Sequence, residues 1–495
     1  MKIFFSILVF CMVISSIQSF AADKILKWAA DTESGAPFAM VNPKETTRLI
    51  GFEVEIMEEI ASELGYKLEF VQNSWDGLIP GLKNKNYDVA INGIEITPER
   101  QKEINFSRAY YSTYEQLVVR KDQEGIDALA DLHGKKVGTL KSSLAQTILE
   151  KEGGIEILYY ESEVAAYSDL KNNRSDAVLL DSPIAIYYAL PDPALKLVGP
   201  PIGQMLYGIA VNKDRADLLK AINSVLKKME KDGRLREILD RWNLWNHPMA
   251  LRLSDNSPSN TPPEMYQRFL ETASGEGGLK IKMKQYMSFM PALLKGALMT
   301  IEVSILAMML AIVTGLVLAI MKIYGGKITS KLAIYYIEIV RGTPLLIQLF
   351  FIFYGLPYIG IKFNSFVAAV LGLGLNYGAY EAENYRTGIL SVPKTQVEAG
   401  TALGMDQPQV LRHVILPQAF RVSLPPMTND FISLLKDSSL VSTITMVELT
   451  KVYGQLSSTY YDYFGTGILV AIIYLLLGLP FIKMAKHLEQ KLHLK

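Results

Sequence analysis

The chain has 495 residues, which is room for two or three domains rather than one. Lysine plus arginine and aspartate plus glutamate both number 50, so net charge gives no case for nucleic acid or another polyanion as a partner. The single cysteine, Cys11, lies in a segment read below as removed, and the 5 histidines show no ligand spacing; this argues against disulfides, thiol chemistry and a metal site. The average conceals an asymmetry: the chain is mixed in polarity before about Pro262 and strongly apolar after Met290.

Lys2 precedes the apolar run Ile3–Ile17, and small residues follow at Ala21 and Ala22. That is the order of charge, apolar core and small-residue site in a secretory signal, here residues 1–22 with cleavage after Ala21. An uncleaved anchor is the alternative; in both cases Asp23 onward is exported. Phe10 before Cys11 argues against lipidation there.

From 23 to 245 strand and helix signals alternate. Ile25–Ala29, Lys67–Val71, Asp88–Ile91, Lys136–Thr139, Ala177–Leu180 and Leu206–Val211 read as strands. Phe52–Leu64, Leu78–Lys83, Ala145–Lys151, Ser162–Asn172, Ser182–Tyr188 and Arg215–Trp242 read as helices. The alternation predicts an α/β domain of parallel sheets covered by helices, in two lobes with a cleft at the strand ends.

Within this stretch Ala36-Pro37-Phe38, Gly51-Phe52-Glu53, Trp75-Asp76-Gly77, Ile96-Thr97-Pro98-Glu99-Arg100, Phe106-Ser107 and Asp176-Ala177-Val178-Leu179-Leu180-Asp181 occur in order. Together they resemble the amino-acid-type periplasmic solute-binding proteins. The resemblance implies two lobes joined by two crossover strands that close over a ligand. A zwitterionic amino acid needs a cation for its carboxylate and an anion for its ammonium. Arg100 follows a good helix start, Thr97-Pro98, and a guanidinium beside free helix amides suits a carboxylate. Asp181, ending an apolar strand, suits the ammonium. Taken alone, Arg100 also fits a surface arginine and Asp181 a cap for the Ser182 helix. The resemblance further implies that Trp75 walls the side-chain pocket, that Gly93 offers backbone, and that Asp31 and Ser143 line the cleft. Glu95 stands where the family has a small hydroxyl residue, and Leu140 where glutamine binders have a lysine. A second carboxylate at the cleft points to a neutral or cationic amino acid rather than an acidic one.

Residues 246–285 carry Ser-Pro-Ser-Asn-Thr-Pro-Pro and Gly-Glu-Gly-Gly and read as a linker, with a short helix at Glu264–Glu271. Residues 286–495 read as an all-α membrane domain of about five spans: Ala292–Ile320, Leu332–Leu356, Phe366–Tyr385, Leu424–Met446 and Phe464–Phe481. Lysines and arginines such as Lys322, Lys327, Arg386, Lys394, Arg412 and Lys483 then share one side, the cytoplasmic one, which places the N-terminal domain outside. This predicts a bacterial inner-membrane protein facing lipid, with its binding domain on the periplasmic or extracellular face. Glu338, Arg341, Glu381, Glu383, Asp430, Lys436 and Asp437 lie in or beside spans, where they face protein or water.

Between the third and fourth spans, residues 396–417 are polar and amphipathic. Glu398 and Ala399 open one short helical run, Gly404 allows a sharp turn, and a second run, Gln407–Leu416, stops at Pro417. The spacing of Glu398-Ala399, Gly404 and Leu416-Pro417 resembles the EAA loop of ABC-importer permeases, with Gly400 replacing an alanine and Val414 an isoleucine. The resemblance implies a cytoplasmic ABC ATPase docked on this loop. No G-x-x-x-x-G-K-[ST] motif occurs, so ATP belongs to that separate chain, this chain binds no cofactor, and no catalytic constellation is expected. One permease domain per chain implies a homodimer, or a heterodimer with a second permease. The reading is a fused receptor and permease for amino-acid import; the alternative is a membrane-bound amino-acid receptor, either sensor or ligand-gated channel.

Overall fold

The computed structural model describes residues 24–33, 35–42, 45, 48–273, 279–460 and 462–493. The predicted signal segment and the Gly-Glu-Gly-Gly stretch lie outside the described residues.

The first lobe is built on β1 (Lys24–Ala30), whose buried side chains include Leu26, Trp28 and Ala30. After the short β2 (Met40–Val41) and β3 (Leu49–Ile50) comes α1 (Phe52–Leu64). Gly51 makes this entry possible: a Cβ there would meet the Phe38 carbonyl oxygen at 1.9 Å. The helix ends in a left-handed residue at Gly65, as helix C-termini commonly do. It leads into β4 (Tyr66–Gln72), parallel to β1. Then follow α2 (Leu78–Lys83), β5 (Val89–Ala90), α3 (Pro98–Glu103) and β6 (Asn105–Phe106).

The chain crosses to the second lobe through residues 107–110 and runs β7 (Tyr111–Arg120), β8 (Lys136–Leu140), α4 (Leu144–Glu152), β9 (Glu156–Tyr160), α5 (Glu163–Lys171) and β10 (Ala177–Asp181). It returns along β11 (Leu195–Tyr207) and through Gly208 and Ile209 to β12 (Ala210–Val211). The sheets run β4-β1-β5-β12-β6 and β11-β7-β10-β8-β9. Neither is purely parallel as predicted, because β12 runs antiparallel to β5 and β6, and β7 antiparallel to β10 and β11. The crossover strands have to reverse direction between lobes.

Phe38, Phe52, Tyr110, Tyr111 and Tyr207 form a buried aromatic cluster at the crossovers, with ring centroids 5.7–6.3 Å apart. Phe52→Ala would open a void where both lobes meet and should cost about 3–5 kcal/mol. All 4 tryptophans lie between Trp28 and Trp245, so the denaturant midpoint of tryptophan fluorescence in the full chain reads this loss.

The predicted helix Arg215–Trp242 is two helices, α6 (Ala216–Asp232) and α7 (Arg234–Arg241), broken where Gly233 takes φ +88°. The predicted linker is largely structured. Asn246 caps α8 (His247–Leu253), whose Met249 is fully buried, so the packed body of the domain runs past 245. Helix α9 (Glu264–Ala273) lays Tyr266 and Phe269 on Tyr187.

Helix α10 (Leu279–Tyr324) has 46 residues and is about 70 Å long, more than twice a hydrocarbon core. Its exposed Leu298, Ile305, Met309, Val313 and Val317 suit lipid. It packs against α13 (Ser365–Leu390) across small residues: a Cβ on Gly315 would meet Glu381 at 2.6 Å, and one on Gly378 would meet Thr314 at 2.1 Å. Between them the predicted second span is not straight. Helices α11 (Lys327–Gly342) and α12 (Leu345–Phe350, continued to Ile359) meet at 107°, because Thr343-Pro344 is extended.

Helices α14 (Lys394–Ala402) and α15 (Gln407–Val410) form the loop that precedes α16 (Leu416–Asp437). Helix α17 (Leu449–Tyr460) and the long α18 (Tyr463–His493) complete the domain. Among the described residues, α10 and α18 are long and apolar enough to cross a membrane, and the bent pair makes a third. Helices α13 and α16 are long enough but more polar, so the five predicted spans are not equivalent. The predicted fourth span, Leu424–Met446, is displaced: its helix ends at Asp437 and a 3₁₀ segment covers Ser438–Ile444.

Candidate binding cleft and coupling loop

Arg100 sits in the first turn of α3, with Pro98 inside the helix start and Thr97 as N-cap accepting the Arg100 amide at 3.3 Å. Its guanidinium does not face solvent. It pairs with the buried Glu95, donates to the Glu95 carbonyl at 3.1 Å, and reaches the second lobe, where the Ser142 carbonyl accepts at 3.1 Å. Glu95 makes the complementary bridge: its other oxygen accepts the Leu144 amide at 3.1 Å, a free N–H at the start of α4. One ion pair therefore clasps both lobes. The indole of Trp75 lies 5.3 Å from the Arg100 carbon and donates to the Asn92 carbonyl at 3.1 Å. Between Trp75, Arg100, Ile94 and Ser142 lies a cavity of about 150 Å³.

The predicted residues divide into two kinds. Glu95, Arg100, Trp75 and Asp181 carry functional groups at the lobe junction. Asp31, Gly93 and Ser143 shape it. Asp31 accepts the Trp75 amide at 2.9 Å and the Gln72 amide group at 3.0 Å, which fixes Trp75 in place. Gly93 (φ +61°) commits its N–H to Glu53 at 2.7 Å, and a Cβ would strike Phe38 at 2.9 Å. Ser143 caps α4, accepting Gln146 N–H at 3.1 Å and donating to Leu140 O at 2.7 Å. Leu140 is half-buried at the end of β8.

Asp181 ends β10 and is 8% exposed; its carboxylate accepts the Tyr207 hydroxyl and makes no side-chain bond to the Ser182 helix turn. Burial, and then the negative charge of Glu95, push its pKa up to about 7. Glu53, buried and accepting from Tyr110 and Gly93, is pushed up to about 8, chiefly by desolvation. Glu115 and Glu163, both fully buried near the junction, escaped the sequence reading. Glu115, in β7, is fully buried beside Asp181; burial first, then Asp181 and Glu95, hold its pKa well above the usual carboxylate range. A charged residue inside the strand-forming run Tyr110–Val119 was the signal.

The loop at 396–417 is a compact helix–turn–helix. Gly404 turns it at φ +84°, and Asp406 and Gln409 form a reciprocal capping box. Val410, Val414 and Met405 close over Gly400, where a Cβ would meet Val410 at 3.3 Å, and Ile415 and Ile389 tie the unit to the helices above. Glu398, Ala399 and Leu403 point outward, Leu403 at 80% exposure. Two expectations are corrected here. The first helix begins at Lys394, ahead of Glu398, and the second does not stop at Pro417: a π turn over Leu411–Ile415 leads without a break into α16, whose second residue is Pro417.

The domains touch. The Lys451 ammonium of α17 pairs with Glu33 at 2.7 Å, Gln455 donates to the Thr32 hydroxyl at 2.8 Å, and Lys362 donates to the Asn84 carbonyl at 2.6 Å. All three partners lie in the first lobe.

Two lobes joined by crossover strands around a charged cleft, with a membrane domain bearing an exposed helix–turn–helix, define a solute receptor joined to a permease. Residues 26–244 match the bacterial extracellular solute-binding proteins, family 3, and residues 311–494 the binding-protein-dependent transport system inner membrane component. The L-cystine transport system permease protein TcyB of Bacillus subtilis is 45% identical over 162 residues, 33% of this chain and 69% of that protein. The glutamine transport system permease protein GlnP of Escherichia coli is 36% identical over 204 residues, 41% of this chain and 93% of that one. An ancestral arginine-binding protein solved with arginine is 35% identical, covering 44% of this chain and 97% of its own, with a TM-score of 0.42. The chain belongs to the binding-protein-dependent inner-membrane permeases of amino-acid ABC transporters and carries a family 3 solute-binding domain on the same polypeptide. It is a transport component, which decides against the sensor and channel readings.

Proposed function

We propose that the exported domain captures a neutral or cationic amino acid between its lobes and passes it to the membrane domain for import. The carrying observation is the Glu95–Arg100 clasp, which joins a cation and an anion of the first lobe to Ser142 and Leu144 of the second. In this reading the ligand carboxylate takes Arg100 and the ammonium takes Asp181, with Trp75 against the side chain. An acidic ligand would add a carboxylate to a site already holding Glu95, Glu115 and Asp181, where low dielectric magnifies repulsion. Relatives named for glutamine and cystine transport fit an amino-acid cargo.

ATP is bound and hydrolysed on a separate cytoplasmic ABC ATPase that docks on residues 396–417, and this chain carries no cofactor of its own. Two copies, or one copy and a second permease, form the translocation path in the inner membrane, with the binding domain on the periplasmic or extracellular side. Titration calorimetry of the full chain in nanodiscs with the common amino acids tests the ligand reading. Selective binding of neutral or cationic members is expected; tight binding of glutamate alone would overturn it.

A pH dependence follows from Asp181. Its raised pKa means the empty site holds a proton below about pH 7, while a bound ammonium favours the carboxylate. Binding must then release that proton, so affinity should rise by up to about tenfold per pH unit from pH 5 towards 7 and level off above it. Calorimetry in buffers of differing ionisation enthalpy reads the released proton directly.

A further inference from the structure

The ordinary requirements of a zwitterion leave one charge of the cleft unused. Glu115 and Asp181 are directly opposite in the antiparallel β7–β10 pair, so their side chains rise from the same face of the sheet. Like charges so placed repel, and here the repulsion is not relieved by solvent, because Glu115 is fully buried. Relief from donors is slight: neither Glu115 oxygen makes a well-formed hydrogen bond, the Ala145 amide offering only a weak one, whereas Asp181 accepts from Tyr207. Glu95 approaches from the first lobe as a third carboxylate. Against these three stands Arg100, whose Nη1 is committed to Glu95 and whose Nη2 donates to Ser142, leaving the Nε side of the fork for a ligand.

A zwitterion adds no net charge to this group. It supplies one ammonium, which Asp181 answers, and one carboxylate, which competes with Glu95 for Arg100. A buried carboxylate beside the ammonium site stays charged only at a cost, which protonation removes in the empty cleft and a cation arriving with the ligand would offset. We infer that Glu115 is a specificity-determining residue of the cleft, supplying the counter-charge for the side-chain cation of a dibasic amino acid. This rests on the amino-acid reading above and narrows it from neutral or cationic to cationic. Its structural alternative, a permanently protonated acid that merely fills space, predicts no preference between a cationic side chain and its neutral isostere.

The test uses L-arginine and L-citrulline, which match in shape and differ in charge, titrated into the full chain in nanodiscs at pH 7.5. The wild type should prefer arginine by about 100-fold or more. Glu115→Gln, which keeps the shape and removes the charge, should lose about 30-fold or more for arginine while changing citrulline by less than about threefold. Glu115→Asp should keep most of the preference. Equal changes for both ligands, or none for either, would overturn the inference, as would a wild-type preference below about tenfold even if Glu115→Gln did not fold. A wild type that binds neutral amino acids better sinks this proposal and leaves amino-acid import standing. A folded wild type that binds no amino acid at all overturns the reading beneath it.

Discussion

Arg100→Ala should reduce amino-acid binding by about 100-fold or more, to the edge of detection, in the full chain. The guanidinium is the point where charge, geometry and lobe closure meet. It pairs with Glu95, touches the second lobe at Ser142, and stacks near Trp75. In the proposed site, removing it takes away the cation for the ligand carboxylate, and it also strands Glu95, which is 2% exposed, as a buried anion facing Asp181 and Glu115. Breaking a buried ion pair by deleting one member typically costs about 3–5 kcal/mol, and part of that falls on the closed, ligand-bearing state. Arg100→Lys separates the contributions: it keeps the charge but loses the flat fork that reaches Glu95 and Ser142 together, so an intermediate loss of about tenfold is expected. Calorimetry with the preferred amino acid measures both, and tryptophan fluorescence checks folding. Arg100→Ala with affinity within about threefold of wild type would remove Arg100 from the site.

The second large effect concerns motion rather than capture. Gly404→Val should lower ATP-driven uptake by about tenfold or more in proteoliposomes supplied with the ATPase, while binding of the amino acid to the N-terminal domain stays unchanged. At φ +84° a β-branched residue is strained by about 1–3 kcal/mol, and the least costly relief is to rotate α14 away from α15. That would displace Leu403, Ala399 and Glu398 from the surface they share. Glu398→Ala leaves the backbone alone and should give a smaller loss in the same direction. Unchanged uptake and unchanged assembly in both variants would remove the loop from the coupling path.

Much of the N-terminal fold was legible because local signals there are strong and agree. The runs Phe52–Leu64 and Leu78–Lys83 are helices with the predicted ends, and β1 exceeds its predicted bounds by one residue at each side. What escaped has identifiable causes. Strands β7 and β11 are long and cross between lobes, so their residues face different surroundings along their length and show no clean alternation; β11 also changes register around Ile202. Gly233 sits in a sequence rich in helix formers on both sides, and only its left-handed conformation divides α6 from α7. In the membrane domain, apolar content marks where chain can enter lipid but not where it bends, hence the unforeseen turn at Thr343-Pro344. The cleft was legible as a set of residue types, Arg100 and Asp181 above all. Their pairing was not. That Glu95 would serve as the partner of Arg100 depends on how the loop before α3 folds back on the helix start, and that Glu115 would stand opposite Asp181 depends on strand register, which no local pattern announces.

The contacts Lys451–Glu33 and Gln455–Thr32 belong to a single polypeptide. A detached receptor must be synthesised separately, diffuse, and compete with its unloaded siblings for the same landing site, so uptake depends on how many receptors the cell makes. Here covalent linkage fixes one binding domain to each permease domain of this chain, so loading begins within reach of the membrane domain it is joined to. Such a machine cannot raise its throughput by secreting more receptor, and it cannot be starved by losing receptor to the medium. Its rate per copy becomes a property of the molecule rather than of expression level.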